Sequence, residues 1–264
     1  MPSVSSTAPF GALLREWRTR RRLTQLALAC DAEISTRHLS FLETGKAAPS
    51  REMILHLSAQ LDVPMRERNV LLVAAGYAPH FSERALEDPA LIPARQAVEM
   101  VLEAQKPYPA FAIDRHWTLV ASNNALPELY ERVSPALLRP PVNGLRLTLH
   151  PDGLAPQITN LVEWRAHLLA RLRHQIDLTA DPVLIDLLRE VTQYPAPPAS
   201  VATHAPDLAH AAAVPFRVSV NRGVLDFFST TTVFGTPVDV TLSELALECF
   251  YPANAQTAAL VRGF

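Results

Sequence analysis

Between Leu23 and Lys46 the chain reads LTQLALACDAEISTRHLSFLETGK, and few folds accept that spacing. It divides into two short helices joined by a tight turn. Thr24 sets a hydroxyl where it can cap the first helix, whose packing face is Leu26, Ala27, Leu28 and Ala29. Ser35 is placed to cap the second. Leu39 and Leu42 stand three apart on it and share a face with Ile34 beneath the turn. The outward face carries Thr36, Arg37, His38 and Ser40, the short polar and cationic side chains that reading a DNA major groove requires. Gly45 then serves as a left-handed helix terminator and leaves Lys46 free to reach a phosphate.

Helices flank this pair on both sides. Leu13, Leu14 and Trp17 recur at helical spacing within Gly11 to Arg22, and Pro49–Ser50 introduces a helix over Arg51 to Leu61. Asp62-Val63-Pro64 breaks that helix, and a fifth runs from Arg66 to Ala75 before Gly76. The result is an all-α, five-helix N-terminal domain over residues 9–78. Residues 1–80 hold ten Arg or Lys against seven Asp or Glu, a balance of +3, while the remainder sums to −5. That basic excess suits phosphate contacts. Arg18, Arg20, Arg21 and Arg22 end the first helix, where cations suit the helix dipole as well as they suit a phosphate.

Residues 79–93 are a linker by composition, with Pro79, Pro89 and Pro93 among mixed charges. The domain over 94–264 starts with an amphipathic helix, Ala94 to Gln105. Two short strands come next, Ala110–Asp114 and Thr118–Ser122, turning through Arg115-His116-Trp117. Asn123 is placed to cap a helix through Leu126, Leu129 and Tyr130. Leu145, Leu147 and Leu149 alternate, which reads as strand or extended chain, and His150-Pro151-Asp152-Gly153 turns. Helices over Thr159–Ile176 and from Asp181-Pro182 onward precede an Ala- and Pro-rich excursion, Tyr194 to Pro215. Phe216–Val220, Leu225–Phe234 and Val238–Leu242 read as three closing strands, with hairpin turns at Asn221-Arg222-Gly223 and Gly235-Thr236-Pro237. Two strands, a helical middle and three antiparallel strands give an α+β, PAS-like order, a sheet covered by helices.

Twelve positions, Leu23, Thr24, Gln25, Ala29, Ile34, Ser35, Leu39, Ser40, Leu42, Glu43, Gly45 and Lys46, resemble the helix-turn-helix of phage-repressor (XRE/Cro) type. Glu33 departs from it, standing where the family has glycine at the turn, so left-handed strain or a differently shaped turn is expected there. The resemblance implies a repressor-like domain bound to double-stranded DNA, with Thr36 and Arg37 on base edges and Gln25 and Lys46 on the backbone. Phe41 is placed either against a thymine methyl or within its own domain, and His38 either on a phosphate or on a base. The resemblance also pairs Arg18 with Glu43, tying the first and third helices. Palindromic operators and two-fold dimers go together in this class, so a homodimer is expected.

Five blocks along the chain are similar to regulators carrying an MmyB-like ligand-binding domain: Ser35–Lys46, Pro49–Met53 (P-S-R-E-M), Arg66–Pro79, His150–Leu154 (H-P-D-G-L) and Phe227–Leu245. That similarity implies a PAS-like sensor holding an apolar small molecule such as a fatty acid. Phe111, Trp117, Tyr130, Trp164 and Phe228 are candidate walls, with core packing the alternative for each. Phe227 and Phe228 are adjacent on a strand, so only one can face the cavity. Asn143, Arg146, His150 and Arg171 are candidates for a polar head group.

Other chemistry finds little support. No Ser-His-Asp arrangement, nucleophile elbow, phosphate loop or metal-type His pair occurs, so neither an enzyme nor a bound metal or other cofactor is expected. No run of about 18 apolar residues is present, so no membrane span is expected. The N-terminus shows no secretion signal, and Cys30 and Cys249 read as two buried thiols in a reducing compartment; a cytoplasmic protein is expected. A second reading stays open, in which the C-terminal domain serves only for dimerisation or partner docking.

Overall fold

Hydroxyl caps fix where the N-terminal helices start. In the computed structural model, which describes residues 8–125, 127–195, 214–235, 237 and 239–262, Thr24 Oγ1 accepts from Ala27 N–H and Ser35 Oγ from His38 N–H, each at 3.1 Å. Ser50 Oγ accepts from Met53 N–H at 3.1 Å. Five helices arise from these and neighbouring signals: α1 (Phe10–Arg20), α2 (Gln25–Asp31), α3 (Thr36–Glu43), α4 (Arg51–Gln60) and α5 (Met65–Ala74). Glu33 sits at φ +52°, so the turn between α2 and α3 keeps its left-handed residue without glycine, at a cost of about 1 kcal/mol. Gly45 ends α3 at φ +72°, as its position suggested.

Leu14, Leu28, Leu39, Leu42, Ile54 and Leu57 are fully buried at the centre of this unit. Each contributes about 2 kcal/mol of transfer free energy. Leu26 does not join them: it is 64% exposed, and Leu28, Ala29 and Ala32 form the packing face instead. One close approach went unread in the sequence. A Cβ on Gly11 would lie 2.5 Å from the carbonyl oxygens of both Leu42 and Glu43, so α1 crosses the end of α3 only because residue 11 has no side chain. Cys30 is exposed, which corrects the expectation of two buried thiols; Cys249 is buried.

The chain divides into two compact units, whose main bodies meet in sequence at Arg84 and Ala85. The start of the segment read as a linker is fastened to α5. Asn69 Oδ1 accepts from His80 and Phe81 N–H, and its Nδ2 donates to Phe81 O.

The second unit is built on β1 (Ala110–Ile113), β2 (Leu119–Ser122), β3 (Phe216–Val220), β4 (Gly223–Val233) and β5 (Ala246–Pro252). All pair antiparallel, in the order β2-β1-β5-β4-β3. Helix α6 (Ile92–Ala104) packs Val98 and Leu102 on one face, against Ala110, Ala112, Leu247 and Cys249. The opposite face meets α7 (Gly144–Leu149), α8 (Leu161–Thr179) and α9 (Pro182–Gln193) through a larger apolar core. A helical turn α10 (Val240–Ser243) precedes β5, and α11 (Ala255–Val261) comes after it.

Three local expectations are corrected. Residues 145–149 form a helix, because Asn143 Oδ1 accepts from the N–H groups of Leu145 and Arg146, each at 3.1 Å, and caps it. The three alternating leucines are all buried because this short helix is covered on several sides. Asn123 caps no long helix. Its carboxamide bonds Ala110 N–H, Leu102 O and Tyr108 O, and the chain beyond forms only a 3-10 turn, Pro127–Tyr130. The last strand begins at Ala246, not near Val238. Helix α11 was not anticipated. Leu126, Thr236, Val238 and most of the Ala- and Pro-rich excursion, residues 196–213, lie outside the described residues.

Gly11→Ala should destabilise the N-terminal unit by about 1–3 kcal/mol, since the added methyl meets backbone that cannot turn aside. A thermal melt followed by circular dichroism checks this; an unchanged melting temperature would mean that α1 and α3 separate freely.

Candidate DNA-reading surface and apolar cavity

Helix α3 presents Thr36 and Arg37 to solvent and half-buries His38, Ser40 and Phe41. The Arg37 guanidinium lies 5.3 Å from the Phe41 ring centroid and the Lys46 ammonium 5.9 Å, so one ring is flanked by two cations. Leu39 and Leu42 face the core and fix the helix, leaving this row as its outward surface. Ser35 acts first as the N-cap.

What anchors α3 is a bidentate ion pair. Arg18 Nε donates to Glu43 Oε1 at 2.5 Å and Nη2 to Oε2 at 2.9 Å, while Nη1 reaches Leu23 O at 2.8 Å. Gln25 Nε2 donates to Glu43 Oε2 at 2.8 Å, so this residue, expected on the DNA backbone, has its amide engaged within the protein. The Glu43 side chain is 2% exposed. Burial alone would push its carboxyl up, but the hydrogen bonds from Arg18 and Gln25 outweigh burial and hold it below its ordinary value. The arginine cluster is likewise mostly internal. Arg21 donates to Leu61 O and Asp62 O at the end of α4, and Arg20 and Arg21 both lie over Trp17.

Glu43→Ala strands a largely desolvated Arg18 and should cost about 3 kcal/mol, lowering the melting temperature while leaving the rank order of operator variants unchanged. The folded carboxyl value lies below the unfolded one of about 4.3. The pair is therefore fully stabilising above that pH and loses its effect as pH falls through the folded value. The gap in melting temperature between wild type and variant should accordingly hold near neutral pH and narrow as pH falls below about 4.3.

In the second unit, a cavity of about 50 Å³ lies between the sheet and helices α7 and α8. Phe111, Phe216 and Phe250 supply the sheet wall; Leu145, Trp164 and Leu168 supply the helical one. Trp117 closes one side from a strained position, φ +65°, worth about 1–3 kcal/mol. Asp114 Oδ1 holds that turn by accepting from His116 and Thr118 N–H, each at 2.8 Å, and Trp117 Nε1 donates to Gln175 Oε1 at 2.8 Å. Tyr130 completes the wall, and burial pushes its phenol well up, so it stays protonated.

Of the residues singled out in the sequence, Phe111, Trp117, Tyr130 and Trp164 come together here, and Arg171 joins them. Four others do not. Phe228 points to the opposite face, where it stacks on Tyr251 at 5.2 Å; its neighbour Phe227 is the inward member and is fully buried. Asn143 is the α7 cap and also donates from Nδ2 to His116 O at 2.8 Å. Arg146 is paired with Glu190, its Nε and Nη2 at 2.8 and 2.7 Å from the two carboxylate oxygens. His150 is a turn residue, its Nδ1 accepting from Asp152 N–H at 3.0 Å. The missed residue is Glu248, which meets Arg171 at 2.5 Å on the cavity wall. Its signal was parity: on β5 it shares a face with Phe250, so a carboxylate was pointing where only apolar groups were sought.

Residues 94–263 match the family model of the MmyB-like transcription regulator ligand binding domain, and residues 9–71 match a helix-turn-helix domain. A relative from Bacillus subtilis strain 168, described as "Uncharacterized HTH-type transcriptional regulator RghRB", is 40% identical over 81 residues, which is 30% of this chain and 56% of that protein. The chain thus aligns with little more than half of that relative's length. A solved protein described as "Structure of an RNA-binding Light-Oxygen-Voltage Receptor" overlaps 98% of this chain and 63% of its own, at a TM-score of 0.26 and 13% identity; agreement at that level carries no argument about fold or ligand. No helix among the described residues is long and apolar enough to cross a membrane. With its helix-turn-helix at one end and the family's ligand-binding domain over most of the remaining length, the chain belongs to the MmyB-like transcription regulators.

Proposed function

We propose that this regulator reads a palindromic operator as a homodimer, and that an apolar small molecule in its C-terminal cavity tunes the reading. The ligand is fatty-acid-like in its hydrocarbon part. One observation carries this: the cavity is walled by aromatic and aliphatic side chains of both the sheet and the helices, with an ion pair at its edge. At about 50 Å³ it holds a few water-sized groups, so an acyl chain enters only if wall side chains give way. Entry therefore favours one arrangement of the helices over another. That difference in affinity is the most by which the ligand can shift operator binding.

On the DNA side, Arg37 is assigned to a base edge and Lys46 to the backbone. Arg37→Ala should cost about 1–3 kcal/mol and relax preference at a single base pair. Lys46→Ala should weaken all sequences alike and reduce the salt slope by about 1. Selection from a randomised duplex pool, followed by titration at several salt concentrations, checks both. An Arg37→Ala variant with wild-type preference would overturn the docking.

On the ligand side, solvent extraction and mass spectrometry of natively purified protein should release an apolar compound in near-stoichiometric amount. Adding it back should change operator affinity. A protein that is empty and gains no heat stability across a lipid panel would favour a C-terminal domain used for dimerisation or docking.

A further inference from the structure

If the C-terminal cavity is the ligand site, the premise of the proposed function on which this inference rests, its polar groups also constrain the ligand's polar end. Arg171 is the cation on the cavity wall, and it is already neutralised. Its Nη2 donates to Glu248 Oε1 at 2.5 Å, and the guanidinium lies 5.0 Å from the Trp117 ring centroid. Glu248 is 3% exposed and takes a second hydrogen bond from Thr231 Oγ1 at 2.9 Å. His167, one turn earlier on α8, adds no charge at neutral pH, because burial and the Arg171 cation both hold its imidazole below the ordinary range. A free carboxylate entering here would have to displace Glu248 from Arg171 and leave a buried anion without its partner.

The unmet polar group on the cavity wall, among the described residues, is a donor. Trp164 lines the cavity at 4% exposure, and its Nε1–H makes no hydrogen bond among the described residues. Buried donors without partners are rare and costly. Tyr130 adds a hydroxyl that burial keeps protonated. We propose that the ligand ends in a neutral hydrogen-bond acceptor, an ester, lactone or ketone oxygen, received by Trp164 Nε1–H with Tyr130 at hand, and that the Arg171–Glu248 pair excludes the free acid.

Three probes of equal chain length separate the possibilities in calorimetric titrations of the full chain at mildly alkaline pH: methyl octanoate, octanoate and octylammonium. Methyl octanoate should bind at least about tenfold more tightly than either ion, the ratio that about 1.4 kcal/mol of differential binding gives. Trp164→Phe, which keeps a ring in place, should remove most of that preference, and Glu248→Gln should raise octanoate affinity by freeing Arg171. Octanoate binding as tightly as the ester would overturn the proposal and show that Arg171 abandons Glu248 for a ligand carboxylate. Octylammonium binding most tightly would overturn it in the other sense, with Glu248 as the recognising group. Either outcome leaves the ligand-binding reading standing; binding of none of the three would overturn both.

Discussion

Strand β5 is hydrogen-bonded along both edges, to β1 on one side and β4 on the other, and these two partners lie far apart in sequence. Without it, the early hairpin and the late one are separate ribbons. Its side-chain alternation also divides the unit's interior. Glu248 and Phe250 face the cavity, whereas Leu247 and Cys249 face α6. A slip of one residue would push the carboxylate against α6 and bring Leu247 to Arg171. Register along one central strand therefore decides both where the core lies and which polar groups line the cavity.

In the N-terminal unit a comparable role falls to the crossing of α1 over the end of α3. Gly11 permits the approach, and Arg18 converts it into an ion pair that Gln25 completes. Neither group touches the outward row of α3, yet both determine how that row is held. Rigid placement of outward side chains is what a short helix needs to discriminate between bases, and on α3 the exposed ones at its start are Thr36 and Arg37.

Legibility differed between the two halves for physical reasons. The first unit is specified locally: caps at Thr24, Ser35 and Ser50, a terminator at Gly45, and leucines at helical spacing all act within a few residues. The second is specified by contacts that linear sequence does not display. Leu145, Leu147 and Leu149 alternate like a strand, but an asparagine cap and burial on several sides make them a helix. Arg146 and His150 looked available for a head group until Glu190 and the Asp152 amide proved to hold them. Phe111, Trp117, Tyr130 and Trp164 could be named as candidate walls because the resemblance implied a cavity and aromatic side chains suit one. Glu248 was overlooked because its meaning depends on which strands flank β5.

The two cavity tryptophans give the chain a built-in optical probe. Of its three indoles, Trp117 and Trp164 wall the cavity, and Trp17 is buried in the other unit beneath Arg20 and Arg21. Indole emission tracks the polarity and mobility of its surroundings, so filling or emptying the cavity perturbs two emitters and spares the third. Occupancy of the sensor can thus be followed without attaching a dye, against an internal reference carried by the DNA-binding half of the same molecule.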